Sequence, residues 1–131
     1  MLYGVGDNYL LSRIENHPGI VVLTTNNRER IDNAFNRRIE VIIDFPLPGF
    51  NERLRLWHSH LGQRSPGDDI IRSLASHCDL SGGQIRNAVL TAAGTQSEQQ
   101  PLQPRRLVQA IGREYQKLGR SMPPALDNLG R

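Results

Sequence analysis

Two prolines, Pro46 and Pro48, split this sequence into parts written in different periods. Ahead of them stand two apolar, β-branched runs, Ile20 to Leu23 and Ile39 to Phe45. Each is short and bounded by turn formers, the pattern of a strand buried on both faces. Proline extends neither a sheet ladder nor a helix interior, so Phe45-Pro46-Leu47-Pro48 closes the second run. Behind the prolines the strand signal stops, and apolar residues recur at helical spacing instead.

The first part reads as α/β. Asp7-Asn8 can cap a helix that carries Leu10, Leu11 and Ile14 on one face and ends at His17-Pro18-Gly19. Ile31 to Arg37 predicts a short second helix, with Ala34 and Phe35 inward. A strand, helix, strand order with short connections implies parallel strands and a helix crossing one face of their sheet. Two strands do not make a stable parallel sheet. Residues 1–48 are therefore expected to be the truncated carboxyl-terminal part of an α/β domain, its missing strands upstream of Met1.

Four amphipathic helices are predicted next. Asn51 to Leu61 carries Leu54, Trp57, His58 and Leu61, and Asp68 to Cys78 carries Ile70, Ile71, Leu74 and Ala75. Ser81 to Thr95 carries Ile85, Ala88, Val89 and Ala92 behind a capping serine, and Pro104 to Leu118 opens on a proline suited to a first turn. Residues 49–118 thus form a helical subdomain, with Trp57 packed between it and the sheet edge. Residues 119–131, with Pro123-Pro124 and no periodicity, are expected to be a flexible tail.

Composition excludes several classes. A net charge of +3 permits phosphate contacts, but no basic block with interleaved aromatics marks a nucleic-acid binder. The single Cys78 cannot form an internal disulfide and suits a reducing cytoplasm. No apolar run reaches the ~20 residues that cross a bilayer, and four scattered histidines beside one cysteine give a zinc site no support.

Three places carry chemistry. Asn26 and Asn27 follow the first run, where a carboxamide can meet a phosphate or hold a water; the plainer reading is a turn. Arg37-Arg38 can project guanidinium groups toward phosphoryl charge on a neighbour, or merely end a helix in solvent. In Leu80-Ser81-Gly82-Gly83-Gln84-Ile85-Arg86-Asn87, paired glycines let a ligand approach the backbone, and Arg86 lies one turn into the helix. A relaxed turn with an exposed arginine explains the same letters.

Taken in order, Thr24-Thr25-Asn26, Ile31-Asp32, Ala34-Phe35, Arg37-Arg38, Phe45-Pro46-Leu47-Pro48 and the Ser81-to-Asn87 motif resemble the carboxyl-terminal part of an AAA+ ATPase module. The resemblance spans Asp7 to about Gly119. It implies the last strands of a parallel P-loop-type αβα core (1–48) followed by a helical lid (49–118). It also implies that Asn26 is the sensor-1 residue orienting the attacking water, and that Arg37 and Arg38 are arginine fingers acting in trans. Arg86 would be sensor 2, with Gly82 and Gly83 close to the adenosine. ATP and Mg²⁺ are the implied cofactors of the intact protein, a homo-oligomeric, hexameric ring the implied assembly, a protein the implied substrate, and the cytoplasm the implied location.

Two departures qualify the match. Arg37 and Arg38 are adjacent, where many members separate the arginines by Pro-Gly, so either fits the finger. A sensor-2 arginine suits AAA+ proteins at large and points to a divergent, bacterial-style remodelling ATPase. No G-x-x-x-x-G-K-[ST] loop occurs in these 131 residues, and no strand ending in paired acids supplies a Mg²⁺ ligand. The chain by itself is expected not to hydrolyse ATP. Two other readings keep the same residues: a non-catalytic partner subunit that donates Arg37 or Arg38 in trans, and a helical protein- or nucleic-acid-binding module built on the part after Pro48.

Overall fold

A computed structural model describes residues 5–25, 31, 33–97 and 100–131, and the chain divides into two units, Met1–Asp44 and Phe45–Arg131. In the first unit, α1 covers Val5–Glu15 and α2 is a single turn, Asn33–Asn36. Among the described residues, their buried side chains are Leu11 and Phe35. Arg38, in the turn after α2, forms an ion pair with Glu15 at the end of α1 and donates from Nη1 to the Ala34 carbonyl at 3.0 Å. His17 closes the turn after α1 by accepting the Gly19 N–H on Nδ1 at 3.0 Å.

The expected α/β class is overturned here. Among the described residues there is no strand, and every assigned element is a helix. Both apolar runs carry no assigned element and stand in solvent: Ile20 is 93% exposed, Val22 79%, Val41 73% and Ile43 68%. The physical reason lies in what β propensity measures. It reports how well a side chain fits a pleated, half-buried surface, and that surface must be supplied by neighbouring strands and covering helices. Two runs in one chain, with no strand assigned among the described residues, have the right side chains and no ladder.

The second unit is built as the helical spacing dictates. Helix α3 is Phe50–Leu61, α4 Asp68–His77, α5 Gly82–Ala93 and α6 Pro104–Lys117. Local signals mark the starts of α4 and α6. Asp68 and Asp69 sit in the first turn of α4, where acidic groups suit the helix dipole. Gly67, just before it, holds φ +120, a conformation that a side chain would strain. Pro104 opens α6 at a position that has no intrahelical N–H bond to lose.

Helix α3 packs on α4 and α5, and α5 packs on α6. Trp57, Ile71, Leu80, Ile85, Ile111 and Tyr115 are fully buried where these faces meet. Trp57 therefore belongs to the core of the helical unit, not to a sheet edge. Arg53 reinforces the α3–α4 contact, donating from Nε to the Ala75 carbonyl at 2.7 Å and from Nη1 to that of Pro48 at 3.0 Å. Arg64 does the same for the loop before α6, reaching the carbonyls of Ser97 (2.7 Å) and Gln100 (3.2 Å).

Residues 119–131 depart from the expected loose tail. A 3₁₀ helix, Pro124–Gly130, lies against α6 and α4, and its Leu126 is fully buried in the core. Gly130 backs onto Val108, which a Cβ would meet at 3.4 Å. Seven residues are too few to show a period, so one anchoring leucine went unseen.

Candidate functional site

Helix α5 carries three of the six candidate residues. Ser81 closes a capping box: the Gln84 N–H donates to Ser81 Oγ at 3.3 Å, and the Ser81 N–H donates to Gln84 Oε1 at 2.8 Å. Two otherwise orphaned donors are thereby satisfied, and the helix starts at a defined residue. Gly82 is half-buried, with the Leu56 methyls 3.6 Å from where its Cβ would stand; Gly83 faces open space. Arg86 lies one turn further on, exposed, and its guanidinium has no partner among the described residues.

Two polar clusters hold this helix against α6. Ahead of its start, Asp79 takes three hydrogen bonds or gives them. The Tyr115 hydroxyl donates to Asp79 Oδ1 at 2.5 Å and accepts the Asp79 N–H at 3.1 Å, while Arg120 Nη2 donates to Oδ2 at 2.7 Å. Arg120 also stands 5.3 Å from the centre of the Tyr115 ring, within cation–π range. The bond from Tyr115, then that from Arg120, holds the Asp79 carboxyl below its usual range. Burial, then the bond to Asp79, raises the Tyr115 hydroxyl. Burial likewise pushes the neighbouring Cys78 thiol up to about 11.

The second cluster sits beside Arg86. Glu114 of α6 is buried, and it accepts from Asn87 Nδ2 at 3.5 Å and pairs with Lys117 Nζ at 2.5 Å. A buried carboxylate without such partners would be costly. Together the two clusters fix α5 at its start and at Asn87, so the backbone that carries Arg86 is anchored on both sides.

The letters single out none of these anchors: Tyr115, Asp79, Glu114 and Arg120 carry no motif of their own. Tyr115 and Arg120 lie 36 and 41 positions from Asp79, and no local pattern links them. The faint signal was a tyrosine on the apolar stripe of a helix, since a buried hydroxyl needs a partner.

The other candidates belong to the first unit. Arg37 and Arg38 follow α2; Arg38 is engaged by Glu15 and Ala34, and Arg37 is exposed with no side-chain partner among the described residues. Asn26 lies outside the described residues. No three His, Cys, Asp or Glu side chains among the described residues cluster so as to hold a metal ion. No helix among them is long and apolar enough to cross a membrane.

Residues 49–115, which span α3 through Tyr115 of α6, match the family model of the contractile injection system ATPase helical domain. No curated protein and no solved structure matches the chain.

Proposed function

The chain belongs to the contractile injection system ATPase helical domain family, and from that premise we propose that it is the lid of an AAA+ ring ATPase that remodels proteins of such a system in the cytoplasm. One observation carries the reading: Arg86 projects, unpartnered, from a helix that is capped at Ser81 and anchored on α6. A fixed, exposed guanidinium suits an anion such as a nucleotide phosphate. Arg86 would contact the phosphates, while Gly82 and Gly83 leave room for the adenosine to approach the helix start.

The remaining roles follow the family resemblance. Arg37 or Arg38 would reach the nucleotide of the adjacent subunit in a homo-oligomeric ring, and Asn26 would orient the attacking water. ATP with Mg²⁺, when bound, supplies the phosphoanhydride whose hydrolysis drives the cycle. The roles assigned to this chain's residues are binding, orientation and charge.

Substitution in the ring ATPase that carries this chain tests both assignments. Arg86→Ala is expected to weaken ADP binding about tenfold, the scale of one charge-assisted contact, with helical circular dichroism unchanged. Unaltered nucleotide binding and turnover would sink the sensor-2 role. Arg37→Ala combined with Arg38→Ala should lower turnover by ~10³-fold or more, as loss of an arginine finger does, while nucleotide binding persists. Turnover that survives the double change removes the finger assignment.

A further inference from the structure

Residues 119–131 turn back at the end of α6 and return along it. The Gly119 N–H donates to the Gln116 carbonyl and the Arg120 N–H to that of Tyr115, both at 3.0 Å. This pair of bonds is a helix stop that needs one residue in the left-handed region, and Gly119 supplies it at φ +68. In such a stop the residue after the glycine leans back on the turn that accepts its N–H. Here that residue is Arg120. It lies over the Tyr115 ring, and from there its Nη2 reaches Asp79.

The rest of the segment follows the same stripe. Met122 Sδ lies 3.8 Å from where a Cβ on Gly112 would stand. Further back, the Val108 side chain and the Arg105 Cα lie 3.4 and 3.8 Å from the same point on Gly130. Positions 115, 112, 108 and 105 share one face of a helix. The 3₁₀ helix rests on α4 as well, with Leu126 in the core. The fastening is light. Leu126 is the segment's one fully buried side chain, and the side chains of Asp79 and Arg120 are each 48% exposed. A segment held in this way opens locally before the helices unfold. The family match includes Asp79 and ends at Tyr115, so the segment lies outside it.

We propose that residues 119–131 are a strap that controls how firmly the start of α5 is held, with Arg120 acting on Asp79 as a positioning residue. Asp79 stands two residues ahead of the Ser81 cap, and its own N–H is bound to the Tyr115 hydroxyl. With the strap docked, both the carboxylate and the backbone of Asp79 are pinned to the end of α6, and the capping box closes beside a fixed residue. With the strap released, the carboxylate keeps Tyr115 alone, and the step through Leu80 to Ser81 loosens. Coupling of this kind is mutual: what the strap adds to the helix start, the helix start adds to the strap. That the strap thereby sets how Gly82, Gly83 and Arg86 meet an anion rests on the nucleotide reading above.

Amide hydrogen exchange of the whole 131-residue chain, followed residue by residue without nucleotide, tests the strap. Arg120→Ala should speed exchange of the Asp79, Ser81, Gln84 and Ile85 amides about fivefold, the low end for coupled sites because the ion pair is half-exposed. Amides in the middle of α3 should keep their rates, and Arg120→Lys should recover part of the protection. Asp79→Asn keeps an acceptor for Tyr115 and removes the charge that Arg120 meets. It should speed exchange of the Leu126 amide, which is bonded to the Pro123 carbonyl at 3.1 Å, by a similar factor. Three results would overturn the proposal: unchanged rates at 79–85 in Arg120→Ala, equal acceleration in every helix, or a Leu126 amide indifferent to Asp79→Asn. Because no nucleotide is present, these outcomes leave the role of Arg86 untouched, and failure of Arg86→Ala to alter nucleotide binding would leave the strap standing.

Discussion

Trp57 shows what a single side chain contributes and what it costs. Its ring is fully buried, yet its indole N–H has no partner among the described residues. Burying the ring stabilises the fold, and an unpaired buried donor offsets that by roughly 1–3 kcal/mol. Trp57→Phe removes the donor and keeps an aromatic ring, so urea unfolding should show a change of no more than ~1 kcal/mol. Trp57→Ala empties the site and should cost about 3–5 kcal/mol. If the phenylalanine variant loses as much as the alanine one, the indole N–H is not a liability. That Trp57 faces inward was legible from its spacing with Leu54 and Leu61, but the sheet edge expected to cover it was not there, and the helical unit itself encloses it. Its unpaired nitrogen was not legible either, because partners for a buried polar atom come from other elements.

At the scale of elements, α5 is the best specified in the chain. Ser81 with Gln84 three residues later, just ahead of Ile85, is a helix-start pattern that can be read from the letters, and the structure closes both bonds of the box. Ser81→Ala should cost about 1 kcal/mol in urea unfolding, within the ~0.5–2 kcal/mol range of lost caps. Ser81→Asp, which restores an acceptor, should recover most of it. An alanine variant as stable as the parent would mean that the Asp79 cluster alone fixes the start of α5. The two β-branched runs are the contrary case. Their sequence is as clear as that of α5, but a helix satisfies its own backbone and a strand does not.

For the whole molecule, pH reports on the cluster that joins the α4–α5 link to α6. The fold favours the neutral forms of Cys78 and Tyr115, whose values are both raised. Their contribution is fully present below the unfolded values and is lost as pH rises, for Cys78 between about 9 and about 11. Asp79 has the opposite sign. Its value is lowered, so its contribution is present above the ordinary carboxylate range and is lost as pH falls through the folded value. Thermal melting should therefore hold a plateau from about pH 5 to about pH 8.5 and decline on both sides. Cys78→Ala should flatten the first part of the alkaline decline. Parallel decline in variant and parent would assign that limb to other groups.

The residues of α3 to α6 settled those helices by themselves. A 3.6-residue apolar period, a serine cap, paired aspartates and a first-turn proline act within one or two turns, and the backbone bonds they support close inside the same segment. What lay beyond the sequence were the contacts between distant positions: Leu126 entering the core, Tyr115 and Arg120 meeting Asp79, and Glu114 meeting Asn87. The strand reading of Ile20 to Leu23 and Ile39 to Phe45 failed for the same reason. A strand exists only through the neighbour that pairs with it, and only tertiary structure decides whether that neighbour is there.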